Sequence, residues 1–255
     1  MTPNTLKRFK RSTTNWWNDG LRVAFIRRVT SGASTKEIRA YINEIEMDTR
    51  FIGLLRQELQ TNTTYQPSPK DFMLFNPGGS MFFYAVLMYA LVRILKPEIV
   101  VETGGTPGKT SAFFLQAMEQ NGRGQLYTID FPPAAFLSPA ELDISKTHHY
   151  LPTGKGSGWI VPDDLKHRQK LIVGKSIDHL PELLESLSEV DIFLHDGGHE
   201  YENMMWEYEL VWPYLKSGSL LLSDDIQHNT AWQDFCVRQA LTGVPLVNLG
   251  GLVKP

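Results

Sequence analysis

Residues 190–226, VDIFLHDGGHEYENMMWEYELVWPYLKSGSLLLSDDI, constrain the fold of this 255-residue chain more than any other stretch. One apolar run ends in His195-Asp196 and a second ends in Asp224-Asp225, and aromatic residues recur between them at helical spacing. Two strands joined by a helical crossover lie parallel in one sheet, so their carboxyl ends meet. That placement gathers Asp196, Asp224 and Asp225 at one rim, with His199 just beyond. A few oxygen ligands beside one titratable base suit a hard divalent cation and proton abstraction.

The same alternation extends upstream. Short apolar runs at 99–102, 125–130 and 170–174 are separated by helical segments, and the helix TSAFFLQAMEQ closes at Asn121-Gly122. Short strands regularly separated by helices predict an α/β, Rossmann-like, doubly wound sheet. PLVNLGGLV supplies its remaining strands, for a seven-stranded, mostly parallel sheet. Three helices precede it, at about 15–29, from Thr35 (N-cap Ser34) to Leu59, and from beyond Gly79 to Leu95. The expected division is an N-terminal helical extension over 1–75 and the α/β domain over 76–255. Residues 131–169 hold five prolines and the pair His148-His149, and so long a connection reads as a lid or binding insert.

Charge and composition narrow the function classes. A formal net charge of −3 gives no overall case for nucleic-acid binding, and one cysteine, Cys236, excludes an internal disulfide framework. The longest apolar stretch, Met81 to Leu95, carries Arg93 and is short for a bilayer span, so a cytoplasmic location is expected. Lys7, Arg8, Lys10, Arg11, Arg22, Arg27 and Arg28 face only Asp19 among the first thirty residues, with Trp16 and Trp17 between them. An amphipathic membrane arm over residues 1–30 is one reading; packing on the main domain or a homodimer partner is the favoured one.

The first strand runs into Glu102-Thr103-Gly104-Gly105-Thr106-Pro107-Gly108-Lys109-Thr110-Ser111 and then a helix. Such glycines admit close approach of a ligand, and a helix N-terminus favours a negative group. A P-loop, G-x-x-x-x-G-K-[ST], fits Gly108-Lys109-Thr110 but needs a glycine where Thr103 stands. A dinucleotide G-x-G-x-x-G does not match the spacing either. E-x-G-x-x-x-G does, with Glu102, Gly104 and Gly108. A second acid, Asp130, closes the second strand, where both ribose hydroxyls can be accepted. Glu102 suits an amine and the helix start a carboxylate, so the three polar handles are those of S-adenosylmethionine.

On these residues the chain resembles class I S-adenosylmethionine-dependent methyltransferases. VVETGGTPGKTSAFFLQAM, GWIVPDDL, the 190–226 stretch and the closing GGLVKP resemble a bacterial subgroup similar to metal-dependent small-molecule O-methyltransferases. The resemblance implies that Glu102, Gly104, Gly105, Thr106, Gly108, Thr110 and Ser111 surround the methionine part of the cofactor. It further implies that Asp130 takes the ribose, that Ser176 lies near the adenine, and that Asp196 contacts the cofactor or a metal. Asp196, Asp224 and Asp225 would hold Mg²⁺, and His199 would be the general base that deprotonates a hydroxyl on a small molecule or sugar. Gly197-Gly198 departs from the bulkier residues usual in metal-site relatives, so the acceptor is not set by analogy. A P-loop-like nucleotide-binding protein and a catalytically silent cofactor-binding module remain as alternatives.

Overall fold

The computed structural model describes residues 13–61, 82–131 and 154–255, with side chains in the first helix described from Asp19 onward. The basic cluster at residues 7–11, the Trp16 and Trp17 side chains, the 62–75 linker, His148-His149 and most of the expected insert lie outside these residues.

Three helices, α1 (Thr13–Val29), α2 (Thr35–Met47) and α3 (Thr49–Thr61), precede the apolar α4 (Phe83–Leu95). Ser34 caps α2 by accepting the Glu37 N–H at 3.1 Å, as the sequence predicts. The single helix expected from Thr35 to Leu59 is in fact two. Asp48 leaves helical geometry (ψ 78), and its Oδ1 accepts the Phe51 N–H at 2.9 Å. A short acidic side chain that bonds backbone locally ends one helix and starts the next.

The sheet follows as β1 (Ile99–Thr103), α5 (Lys109–Asn121), β2 (Gln125–Asp130), a 3₁₀ turn (Asp163–Arg168), β3 (Gln169–Val173), α6 (Ser176–Leu187) and β4 (Val190–His195). It continues with α7 (Tyr201–Val211), β5 (Leu215–Ser223), α8 (Ala231–Arg238), β6 (Val244–Leu246) and β7 (Leu249–Val253). The seven strands are ordered β3-β2-β1-β4-β5-β7-β6. β1 to β5 are parallel, and β7 is antiparallel to both β5 and β6.

Both faces of the sheet are covered, which is why its central strands read as unbroken apolar runs. Ile192, Leu194, Leu220 and Leu222 pack with α1 to α5, while Phe193 and Leu221 point to α6, α7 and α8. The N-terminal helices share the first of these cores: Phe25, Ile26, Ile38 and Ile42 are buried with Phe83, Val86 and Leu87 of α4. Among the described residues no helix is long and apolar enough to cross a membrane. The chain runs outward from β1 to β3 and then returns to β4 beside β1. Strand order reverses between β1 and β4, and in open α/β sheets ligands bind outside the carboxyl ends at that reversal.

Candidate active site

Thr103, at the end of β1, lies in register with His195 at the end of β4. The Asp196 N–H donates to the Thr103 carbonyl (2.9 Å), and the Asp224 N–H donates to the His195 carbonyl (2.8 Å). The strand ends that carry Glu102, Asp130, Asp196 and Asp224 therefore share one edge.

The turn after β1 is built for close approach. Gly104 has φ +82, and a Cβ there would lie 1.9 Å from the Asp196 carbonyl oxygen, so the positive φ and the neighbouring strand both demand glycine. Asp130 organises the next residues: its Oδ1 accepts the Gly105 N–H (2.8 Å) and its Oδ2 the Thr106 hydroxyl. Gly108 stands immediately before α5, also at positive φ, and packs against the Gly158–Val161 stretch. Thr110 is half-buried in the first turn of α5, and Ser111 beside it is buried.

Glu102 is fully buried, and its Oε1 accepts from the hydroxyls of Ser111 and Thr128. Its Oε2 has no hydrogen-bond partner among the described residues. Burial pushes the carboxyl up to about 7 despite those two donors, and the nearby Asp130 charge adds to the rise. A buried carboxylate oxygen without a partner among the described residues fits a cationic ligand such as an ammonium group.

Asp196, partly exposed at the rim, is pushed well above the carboxylate range by burial, then by Asp224, Glu102 and Asp225, with Lys109 partly offsetting them. Asp224 is raised to about 6 by burial and the Asp225 charge. His199 is half-buried and its ring meets that of His195 edge-on at 5.5 Å. Its Nε2 stands 3.5 Å from Asp225 Oδ2, and its buried Nδ1 has no partner among the described residues. Desolvation and the neighbouring His195 lower its pKa, so the ring is neutral near pH 7.

The same geometry bears on the cation site. Asp225 sits at φ +50, bonded to Asn248 and facing His199. Among the described residues no group of three or more His, Cys, Asp or Glu is arranged to hold a metal ion. The rim carboxylates as placed thus fit a three-ligand Mg²⁺ site poorly.

Sequence reasoning missed Glu207. It lies on the apolar face of α7, is fully buried, and accepts from the Thr103 hydroxyl (2.6 Å) and bonds His195 Nδ1 (2.7 Å) through one oxygen. Burial works against its charge, yet His195, Ser176 and Thr103 together hold the carboxyl below its usual range. Ser176, expected near the adenine, is the first residue of α6 and is one of those partners. The available signal was the spacing: Glu207 shares a helical face with Met204, Tyr208 and Val211.

Residues 101–226 match a family model described as a methyltransferase domain. By that match the segment is a methyltransferase domain. The chain resembles a solved structure of the S-adenosylhomocysteine-bound Podospora anserina methyltransferase PaMTH1, at 12% identity and TM-score 0.54, covering 88% of this chain and 97% of that one. It also aligns with CalS11, a calicheamicin methyltransferase, at 19% identity and TM-score 0.48, covering 83% and 92%. A third is the O-methyltransferase TomG from Streptomyces achromogenes, involved in tomaymycin synthesis, at 14% identity and TM-score 0.48, covering 68% and 80%. No curated protein matches the sequence.

Proposed function

We propose that the chain transfers the methyl group of S-adenosylmethionine to a hydroxyl oxygen of a small molecule or sugar, with His199 as general base. Residues 76–255 would be the catalytic unit and residues 1–75 a helical extension that shares its core. The bound cofactor supplies an electrophilic sulfonium methyl group. Glu102 Oε2 would receive its ammonium, the N-terminal turn of α5 its carboxylate, and Asp130 its ribose, with Ser176 on the adenine side.

The observation that carries the base assignment is the His199 ring. Its Nδ1 is buried with no partner among the described residues, at the edge that also holds Asp196 and Glu102, and its lowered pKa favours the neutral form. With Nε2 3.5 Å from Asp225 Oδ2, Nδ1 is the atom left to accept a proton. The acceptor's O–H proton passes to Nδ1, its oxygen forms the new O–CH₃ bond, and the S–CH₃ bond breaks to give S-adenosylhomocysteine. Rate enhancement would come chiefly from orientation of the two reactants. CalS11 and TomG carry names that tie them to small-molecule products, a compatible setting.

The test is S-adenosylhomocysteine release across a panel of hydroxylated small molecules and sugars. With any acceptor so found, His199→Ala should lower turnover by about 10²–10³-fold and leave S-adenosylhomocysteine affinity nearly unchanged. Unchanged turnover removes the base assignment, and loss of cofactor affinity would move His199 into the binding site instead.

A further inference from the structure

Glu207 plays no part in the reaction above, yet it is a fully buried carboxylate on an otherwise apolar helix face. Burial alone would disfavour its charge, and its polar partners more than offset that, since they hold the carboxyl below its usual range. Its neighbours on that face, Met204, Tyr208 and Val211, are all buried and apolar in character. The partners of this carboxylate are not scattered.

One oxygen, Oε2, receives the Thr103 hydroxyl from the last residue of β1, immediately before Gly104-Gly105. The same oxygen bonds Nδ1 of His195, the last residue of β4, immediately before Asp196. The second oxygen, Oε1, has no hydrogen-bond partner among the described residues, so both ties run through Oε2. Gly197 packs against the same group, since a Cβ there would stand 3.5 Å from Thr103 Oγ1 and 3.8 Å from Glu207 Oε1. A single buried group on α7 therefore grips the last residues of the two strands between which strand order reverses. The spacing it fixes is tight, because the Gly104 Cα already abuts the Asp196 carbonyl.

We infer that Glu207 is a positioning residue of the cofactor site, tying Thr103 to His195 so that the glycine turn after β1 and Asp196 after β4 keep the separation that binding needs. It rests on the methyltransferase reading and adds a residue to it that touches neither cofactor nor acceptor. The bonds also fix the His195 ring, whose Nδ1 faces Glu207 and whose Nε2 is buried without a partner among the described residues.

The experiment uses the full chain and S-adenosylhomocysteine as probe, with affinity read by calorimetry and folding by circular dichroism. Glu207→Ala should weaken binding at least about tenfold, because a gap that opens by a fraction of an ångström misplaces several contacts at once. Glu207→Gln should remain within about threefold of wild type, since its amide oxygen can accept both bonds. Thr103→Val removes one arm at nearly constant volume and should weaken binding about threefold or more in wild type but hardly at all in Glu207→Ala. A folded Glu207→Ala with wild-type affinity overturns the inference, as does a Glu207→Gln no tighter than the alanine variant. Should Glu207→Ala fail to fold, Thr103→Val decides alone, and unchanged affinity there counts against the role. Failure of the methyltransferase reading looks different: wild type itself would then not bind the probe.

Discussion

Glu102 offers the sharpest test of the site, because its charge state and its ligand are coupled. In the free protein its carboxyl titrates at about 7 because burial disfavours the anion. An ammonium group on Oε2 needs that anion, so binding expels whatever proton the free protein holds there. From a value of about 7, roughly three-quarters of Glu102 is ionised at pH 7.5 and about a tenth at pH 6. Cofactor affinity should therefore fall about eightfold across that interval, or about 1.2 kcal/mol, with a proton released on binding at the lower pH. The interval stops at 7.5 because an α-amino group itself titrates at about 7.7–8.0.

The assay is calorimetry in two buffers of different ionisation enthalpy, which yields affinity and proton release together. Asp196 is also raised and would add to the slope, so Glu102→Gln isolates the first group. That variant keeps an oxygen for Ser111 and Thr128 but loses the charge, at a cost of about 2 kcal/mol, or about 30-fold in affinity at pH 7.5. It should also flatten the pH dependence. The unliganded protein should respond in the opposite sense. Glu102 binds its proton more tightly folded than unfolded, so stability from this group falls as pH rises from 4.5 through 7, by about 3 kcal/mol. Glu102→Gln should thus melt higher than wild type at pH 7.5 while binding the cofactor worse. An affinity flat between pH 6 and 7.5, or a Glu102→Gln variant that keeps the full slope, refutes the assignment of Oε2 to the ammonium.

Three further outcomes follow from the same edge. Asp130→Ala removes the acceptor for the Gly105 N–H and the Thr106 hydroxyl as well as the proposed ribose contact, so S-adenosylhomocysteine affinity should drop by about 2–4 kcal/mol, and a calorimetric change below 1 kcal/mol would contradict it. Gly104→Ala would put a Cβ 1.9 Å from the Asp196 carbonyl, so the variant should lose probe binding or soluble expression; a folded, binding Gly104→Ala would show that the turn is looser than described. Because Asp225 faces His199 and no three-carboxylate cation set forms among the described residues, methyl transfer should persist in EDTA, while Asp225→Asn should lower turnover about tenfold; abolition of activity by EDTA, with recovery on adding Mg²⁺, would restore the rim as a cation site.

Much of the fold was readable because its signals are local and redundant. Runs such as Phe193-Leu194 and Leu220-Leu221-Leu222 are apolar on both faces, which only a doubly covered parallel sheet accommodates, and Gly122 ended α5 where expected. The misses have physical causes. Ile45, Phe51 and Leu55 continue an apolar pattern across Asp48, so nothing but one side-chain cap announces the break between α2 and α3. The start of β5 at Leu215 was not legible, because Lys216, Ser217 and Gly218 are exposed and carry no burial signal.

The site divides along the same line. Residues that end strands, Glu102, Asp130, Asp196 and Asp224, were legible because a parallel sheet collects strand ends whatever the side chains do. Asp225 was not, since its direction depends on a backbone with φ +50 and a bond from Asn248 of the β6–β7 turn, 23 residues away. Glu207 lies between these cases. Its position on the buried face of α7 was computable from spacing alone, and a charge on such a face has to be either tolerated at a cost or used. What spacing could not supply is that Thr103 and His195, 104 and 12 residues distant, converge on one of its oxygens. Register between β1 and β4 creates that convergence, so the residue that locks the two strand ends becomes visible only once they are paired.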